Sequence, residues 1–325
     1  MFAVRGIAVS FSIFVIIYGV LSLTVLLLWR KLWQYGQQHS AKHSADLLFA
    51  LRMIPFVFAM AVTLVLAVPS FLLLEPRAVN EPMDAMPVVL GFCGLAVLLA
   101  GTWKAASALL RASRTIAQWS SESHAIGSNS MGSISIDSGD SLTVLRISSA
   151  APPLTAAGIL RPSVWLSGVA EFVLTEHELQ TALRHEVVHL RRRDNLRKLL
   201  LRFVAFPGMA EFESAWREST EMAADDAAVS SAAEALDLAA AVIKLSQLTP
   251  LAAPAELTTA LVHSPAESVN ARVERLLAWT ESRQALAAQF SWRYPLCAAV
   301  AIIVFAATYS DLLVRVHAAT EWLVR

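Results

Sequence analysis

The residues best suited to metal chemistry are two histidines and a glutamate near the middle of the chain. His185, Glu186 and His189 form the pattern His-Glu-x-x-His. Histidines four positions apart project from one face of an α-helix, so both imidazoles can reach one metal ion. The glutamate beside the first histidine leans toward a water molecule on that metal. Because imidazole nitrogens suit tetrahedral zinc, the spacing predicts a site for one Zn²⁺.

A third metal ligand is expected from another helix further along the chain. Glu221 has the right character, because it is a carboxylate on a predicted helix, and Asp225 lies one turn further on the same face. Asp225 could accept the second N–H of a ligand histidine and fix its tautomer. The alternative is a solvated acidic helix face that also includes Glu218 and Asp226. We favour the metal site because the His-Glu-x-x-His pattern lies upstream.

Together these residues could hydrolyse a peptide bond. Three protein ligands leave one zinc position for water, and zinc lowers the pKa of that water toward about 7. Glu186 would take the proton, the hydroxide would attack a peptide carbonyl, and Glu186 would pass the proton to the leaving amine. Glu186 is therefore the predicted catalytic residue.

A long helix and a short β-rich region must position these residues. From Glu176 to about residue 206 the apolar residues recur at helical spacing, and Thr175 with Glu178 forms a capping box at the start. We expect the strand that includes Val164–Leu166 to pair with an extended substrate. Strands are predicted at 142–148 and 163–167, and further helices near 213–232, 234–248 and 267–287.

The composition places much of the chain in a membrane. Of 325 residues, 56% are hydrophobic and only 16% are charged, whereas soluble domains have about a quarter charged. The 26 Lys and Arg cancel the 26 Asp and Glu, so nothing indicates direct nucleic-acid binding. Two cysteines are too few for a disulfide scaffold. Uncharged runs predict four transmembrane helices at about 6–29, 53–74, 85–103 and 294–314.

Basic residues in the loops predict the orientation of these helices. The loops after the first and third spans are rich in Lys and Arg, and the loop after the second span has only Arg77. The basic loops should be cytoplasmic, with both termini outside a bacterial-type inner membrane. This gives three transmembrane helices in 1–104, a cytoplasmic domain in 105–292, and the fourth helix with a short tail in 293–325.

The stretch 152–226 resembles the transmembrane zinc metallopeptidases of the BlaR/MecR type, the family of β-lactam sensor-transducers and their relatives. The similar segments are PPLTAAG at 152–158, RPSVWL at 161–166, HEVVHLRRRD at 185–194, EMAAD at 221–225 and NARVERLL at 270–277. Four membrane helices with the protease domain between the third and fourth are also that family's layout.

This resemblance implies a mainly α membrane protein carrying an α+β, gluzincin-like (HExxH) metallopeptidase domain. Zinc would be held by His185, His189 and Glu221, with Glu186 as the catalytic residue. Asp194, which ends the HEVVHLRRRD segment, is grouped with Asp225 as a carboxylate that supports the ligands.

Two departures from the family pattern change the expectations. Relatives commonly carry a tyrosine in the helix after the third ligand, but no tyrosine occurs here between Tyr35 and Tyr294. His263, Arg272 or His177 could stabilise the oxyanion instead, although each is more often an ordinary surface residue. The sensors also carry a penicillin-binding domain after the fourth helix. Only about a dozen residues follow that helix here, so drug sensing is not expected.

The sequence therefore predicts a membrane-anchored zinc metalloendopeptidase. Its expected substrate is a cytosolic protein such as a transcriptional repressor, or the chain itself, in signal transduction or transcriptional derepression. One alternative is a quality-control or processing protease that acts on membrane proteins. Another is a catalytically inactive sensor or scaffold of the same fold. An intramembrane protease fits less well, because the His-Glu-x-x-His pattern lies among arginines.

Overall fold

The computed structural model is mostly helical, with one small sheet. It describes residues 2–37, 40–76, 84–125, 131–135, 141–147, 152–159, 162–248, 257–261, 266–279 and 293–324. The helices are α1 (Phe2–Gln37), α2 (Ala41–Val62), a π-helical turn (Thr63–Ala67), α3 (Val68–Leu74), α4 (Ala85–Ala125), α5 (Gly168–Val173), α6 (Glu176–Arg192), α7 (Asp194–Phe203), α8 (Ala210–Ala228), α9 (Ala232–Ser246), α10 (Ala266–Leu277) and α11 (Arg293–Val324). The strands are β1 (Met131–Ser135), β2 (Ser141–Ile147), β3 (Leu154–Ala157), β4 (Ser163–Ser167) and β5 (Thr258–Ala260).

The chain divides into two compact units. A helical unit comprises residues 1–30, 50–102 and 287–325, and a sheet unit comprises 31–49 and 103–286. Three helical stretches are long and apolar enough to cross a bilayer, namely Phe2–Gln34, Ala41–Leu74 and Ala85–Ser121. They contain the first three predicted spans, so the chain has the helices of a membrane protein. The predicted fourth span falls within α11, and its crossing of the membrane stays a prediction.

Close backbone approach holds α1 against α4 in the helical unit. A Cβ added to Gly94 would lie 2.5 Å from the carbonyl oxygen of Phe11, so only glycine fits there. The Ser12 hydroxyl donates a hydrogen bond to the Pro87 carbonyl at 2.8 Å. Small residues and interhelical hydrogen bonds of this kind are how helices associate in lipid, where apolar side chains gain little from meeting each other.

The sheet unit is built on five strands in the order β1-β2-β4-β3-β5. The pair β2–β4 is parallel and the other pairs are antiparallel. Helices α6 and α9 pack with the sheet around one apolar core. Its members come from strands and helices alike and include Val144, Leu154, Leu166, Leu183, Val187, Leu238 and Val242.

The structure differs from the predicted elements in two respects. The long helix predicted from Glu176 to about 206 is two helices, because Arg193 adopts a left-handed conformation with φ of 54° between α6 and α7. The strands β1, β3 and β5 were not predicted, since they are short and partly serine-rich or alanine-rich. The predicted helix 267–287 is observed as α10, and its residues beyond 279 lie outside the described residues.

Candidate metal centre

Helix α6 presents the three residues of the His-Glu-x-x-His pattern to the interior. It begins with the predicted capping box: the Thr175 hydroxyl accepts from the Glu178 backbone N–H, and the Glu178 carboxylate accepts from the Thr175 N–H. Two turns later His185, Glu186 and His189 are all buried, with at most 1% of each exposed. The Nε2 atoms of the two histidines lie 3.1 Å apart. The four-residue spacing therefore brings both imidazoles to one point, as the sequence predicts.

Helix α8 brings Glu221 to the same point. Its Oε2 lies 3.5 Å from Nε2 of His185, and its Oε1 lies 3.6 Å from Nε2 of His189. The candidate ligand atoms of the three residues all lie within 4.8 Å of one another, so the cluster could hold a metal ion. Tetrahedral zinc with bonds of about 2.0–2.2 Å separates its ligand atoms by about 3.3 Å. The observed separations are close to that value.

The outer nitrogens of both histidines face carboxylates. Nδ1 of His189 lies 2.7 Å from Oδ2 of Asp194, within hydrogen-bonding distance, and Nδ1 of His185 lies 2.9 Å from Oδ1 of Asp225. The second contact has the distance of an ion pair without the alignment of a hydrogen bond. Carboxylates at Nδ1 favour the tautomer that leaves Nε2 without a proton. When both imidazoles are neutral, two Nε2 lone pairs and a carboxylate converge, which is the donor set of a cation site.

The acidic groups around the cluster also control the pKa of His189. Burial alone would lower this pKa, but Glu221 and Asp194 outweigh burial and raise the pKa to about 10. Burial likewise acts to raise the pKa of Glu221, but His189, His185 and Arg272 hold it well below its usual range. Glu221 is therefore ionised and stabilises positive charge at the centre of the cluster.

The joint between α6 and α7 places Asp194. Arg193 ends α6 in the left-handed region, and its N–H donates to the carbonyls of His189 and Leu190. The chain turns there, so Asp194, fully buried at the first position of α7, faces back to His189. Few residues other than glycine, asparagine and aspartate adopt this conformation readily. No glycine or proline marks the turn in the sequence.

The Glu186 carboxylate is anchored through one oxygen. Oε2 accepts hydrogen bonds from the Ala156 backbone N–H at 3.1 Å and from the Thr259 hydroxyl at 3.2 Å. Oε1 is buried and has no hydrogen-bond partner among the described residues. Burial raises the pKa of Glu186 above its usual value, which is the direction expected of a proton acceptor working near neutral pH. The free oxygen leaves a position where a proton donor such as water could bind.

Arg272 of α10 supports the acidic side of the cluster. Its Nε and Nη2 contact the two oxygens of Asp225 at 2.8 and 2.7 Å, and its Nη1 donates to the Leu261 carbonyl at 2.7 Å. Nη1 also lies 3.2 Å from Oε2 of Glu221. The side chain is 99% buried, so this is an internal ion pair between a guanidinium and two carboxylates. Burial works against a charged Asp225, but Arg272 and His185 lower its pKa to about 2.

These contacts test the proposed oxyanion residues. The guanidinium of Arg272 contacts Asp225, Glu221 and a backbone carbonyl. Arg272 therefore orients these carboxylates rather than binding an oxyanion. His177 is exposed near the start of α6, about two turns before His185. His263 lies outside the described residues.

The predicted pairing of Val164–Leu166 with a substrate is wrong. These residues belong to β4, which is paired with β2 on one side and β3 on the other, and all three are buried. The strands next to Glu186 are β3 and β5, and β5 pairs with β3 and forms the edge of the sheet within the described residues. Lys198 donates to the Thr258 carbonyl of β5 at 2.8 Å, and Asn195 donates to the Ala156 carbonyl of β3 at 3.2 Å. Neither residue stands out in the sequence.

No protein-family model and no curated protein sequence matches this chain.

Proposed function

We propose that the chain is a membrane-anchored zinc metalloendopeptidase of the BlaR/MecR type, with its sheet unit in the cytoplasm. The observation that carries this proposal is the convergence of His185, His189 and Glu221 within 4.8 Å, with the Glu186 carboxylate held next to His185 on the same helix. The facing atoms of two imidazoles and one carboxylate lie at the separations of a tetrahedral zinc site, and these are ligand types that zinc takes.

The chain's own residues define the steps of the reaction. When bound, zinc would polarise the peptide carbonyl and lower the pKa of a water molecule. Glu186 would accept a proton from a water molecule on Oε1, which has no partner among the described residues, since Oε2 is engaged by Ala156 and Thr259. The hydroxide so formed would add to the peptide carbonyl carbon, and Glu186 would pass the same proton to the amide nitrogen as the C–N bond breaks and the amine leaves. Asp194 and Asp225 hold the two imidazoles in the orientation that keeps Nε2 available.

The substrate would be an extended segment of a cytosolic protein, such as a transcriptional repressor, or of the chain itself. This substrate class comes from the resemblance to the BlaR/MecR type. Strand β5 lies beside Glu186, but its residues Thr258 and Thr259 are buried and the Thr258 carbonyl already accepts a hydrogen bond from Lys198.

The test compares wild type with Glu186→Gln in membranes supplied with zinc. Both the length of the chain itself and a panel of cytosolic proteins are followed by mass spectrometry. Loss of a general base should reduce cleavage by about 10²–10⁴-fold, whereas zinc content should stay at the wild-type value. Glu176→Gln, an exposed change at the start of the same helix, is the matched control and should cleave normally.

Two outcomes contradict the proposal. Equal fragments from wild type and Glu186→Gln would show that another protease produces them. Stoichiometric zinc with no fragment dependent on Glu186 would instead favour the inactive sensor or scaffold. If the substrates identified are membrane proteins, the quality-control role replaces signal transduction.

A further inference from the structure

We propose that a basic pocket of the sheet unit binds the phosphate headgroup of an anionic membrane lipid. The pocket is a cavity of about 320 Å³ formed by α4, α7, the loop that follows α7 and the start of α8. Its lining includes the cations Lys104, Arg111 and Arg202, the carboxylate of Glu213, and the apolar side chains of Phe206 and Met209. The proposal does not depend on peptidase activity.

The charge and placement of the cations suit a phosphate. Lys104 and Arg111 lie two turns apart on α4, on either side of Ala108, which is fully buried against Leu257. Arg202 comes from α7, so cations approach the cavity from two elements. Three cations and one carboxylate leave the pocket with a net positive charge. The side chains of Lys104 and Arg202 are exposed, so these two cations can reach a ligand from solvent or from a bilayer surface.

The position along α4 favours a lipid as the source of the phosphate. Helix α4 is one of the stretches apolar enough to span a membrane, and Lys104 is the first charged residue after its uncharged run. Trp103 immediately precedes Lys104 and is 75% exposed, as is usual for tryptophan at the headgroup level. Basic residues directly beside a membrane helix attract anionic lipids. Phe206, a partly exposed apolar residue of the same lining, would contact the acyl chains.

The experiment measures lipid binding to the purified full chain in non-ionic detergent by native mass spectrometry. Three probes are titrated separately: short-chain phosphatidylglycerol, short-chain phosphatidylcholine and inorganic phosphate. The pocket variant is Lys104→Gln/Arg202→Gln. The control variant is Arg114→Gln/Arg191→Gln, which removes the same charge from exposed positions on α4 and α6 outside the pocket.

We expect phosphatidylglycerol to bind more tightly than either other probe. Each cation near an anionic lipid contributes about a fivefold change in affinity, so the pocket variant should bind phosphatidylglycerol about thirtyfold more weakly. The control variant should bind as wild type does. Equal losses in both variants would mean diffuse attraction to surface charge, and equal binding of inorganic phosphate would mean a free-anion site. Either result would overturn the proposal. A pocket variant that keeps both the circular dichroism spectrum and the lipid affinity of wild type would overturn it as well.

Discussion

Replacing Arg272 with methionine should weaken both the fold and the metal centre. The substitution keeps most of the side-chain volume but removes the guanidinium that contacts Asp225, Glu221 and the Leu261 carbonyl. The buried Asp225 carboxylate, the partly exposed Glu221 carboxylate and one backbone oxygen would then lose a charged donor. Removing one partner from a buried ion pair leaves an uncompensated charge, which is far more costly than losing a surface pair.

The pKa of Asp225 indicates the order of magnitude of the cost. Its value is about 2, against 3.8 for an ordinary aspartate. Each pKa unit corresponds to about 1.4 kcal/mol, so the difference represents about 2 kcal/mol. Arg272 is the largest of the influences that lower this pKa. The Glu221 and Leu261 contacts add to that figure, and buried pairs broken on one side typically cost about 3–5 kcal/mol.

The sign of the pH dependence follows from the same shift. A lowered pKa in the folded chain stabilises the fold fully above the unfolded value of 3.8, and this stabilisation disappears as pH falls toward about 2. The difference in unfolding free energy between wild type and Arg272→Met should therefore be large at neutral pH. This difference should shrink as the pH falls from 3.8 toward about 2.

The assay separates fold from metal. Denaturant unfolding is followed by tryptophan fluorescence with a chelator present, so that both chains are compared without metal, and zinc affinity is measured separately by competition with a chromophoric chelator. We expect Arg272→Met to lose about 3–5 kcal/mol of stability and about 10–100-fold in zinc affinity. Arg275→Met is the control. Arg275 lies one turn after Arg272 on α10 and pairs with the partly exposed Asp226, so its replacement should cost at most about 1 kcal/mol. Indistinguishable behaviour of the two variants would refute the buried Arg272–Asp225 pair.

Two other substitutions test the surroundings of the site. Asp194→Asn should lower zinc affinity about 10–100-fold in the same chelator competition, because it removes the charge at Nδ1 of His189; unchanged affinity would mean that Asp194 does not orient this ligand. Glu234→Gln should destabilise the fold by about 1 kcal/mol at neutral pH. Burial acts to raise the pKa of Glu234, but Ser230 and Arg184 outweigh it and lower the pKa to about 2. Its stabilisation should therefore be lost between about pH 4.5 and 2, and a pH-independent difference in unfolding midpoint would contradict this assignment.

The cluster itself could be predicted because its residues follow local rules. The spacing of His185 and His189 depends only on helix geometry, and the capping box of Thr175 and Glu178 depends on neighbours three positions apart. Glu221 was predicted from its residue type and its helix, and the structure brings it to the two histidines. Strand β4 was predicted at its observed bounds, 163–167, but its neighbours in the sheet were not.

The remaining contacts depend on parts of the chain that are distant in sequence. Ala156 reaches Glu186 through a backbone N–H, which any residue except proline could supply, so its identity carries no signal. Thr259 comes from a three-residue strand whose position depends on pairing with β3. Arg193 breaks the long helix without the glycine that usually marks a left-handed residue, so periodicity alone predicts one continuous helix. Such features follow from tertiary packing rather than local propensity.

The left-handed Arg193 also constrains how this region can vary in length. A single residue joins the helix that carries His189 to the helix that begins with Asp194. Each residue added to or removed from a helix rotates the residues after it by about 100° around the axis. An insertion or deletion between His189 and Asp194 would therefore swing the carboxylate away from Nδ1 and redirect α7. Substitutions can be accommodated along this segment more readily than any change in its length.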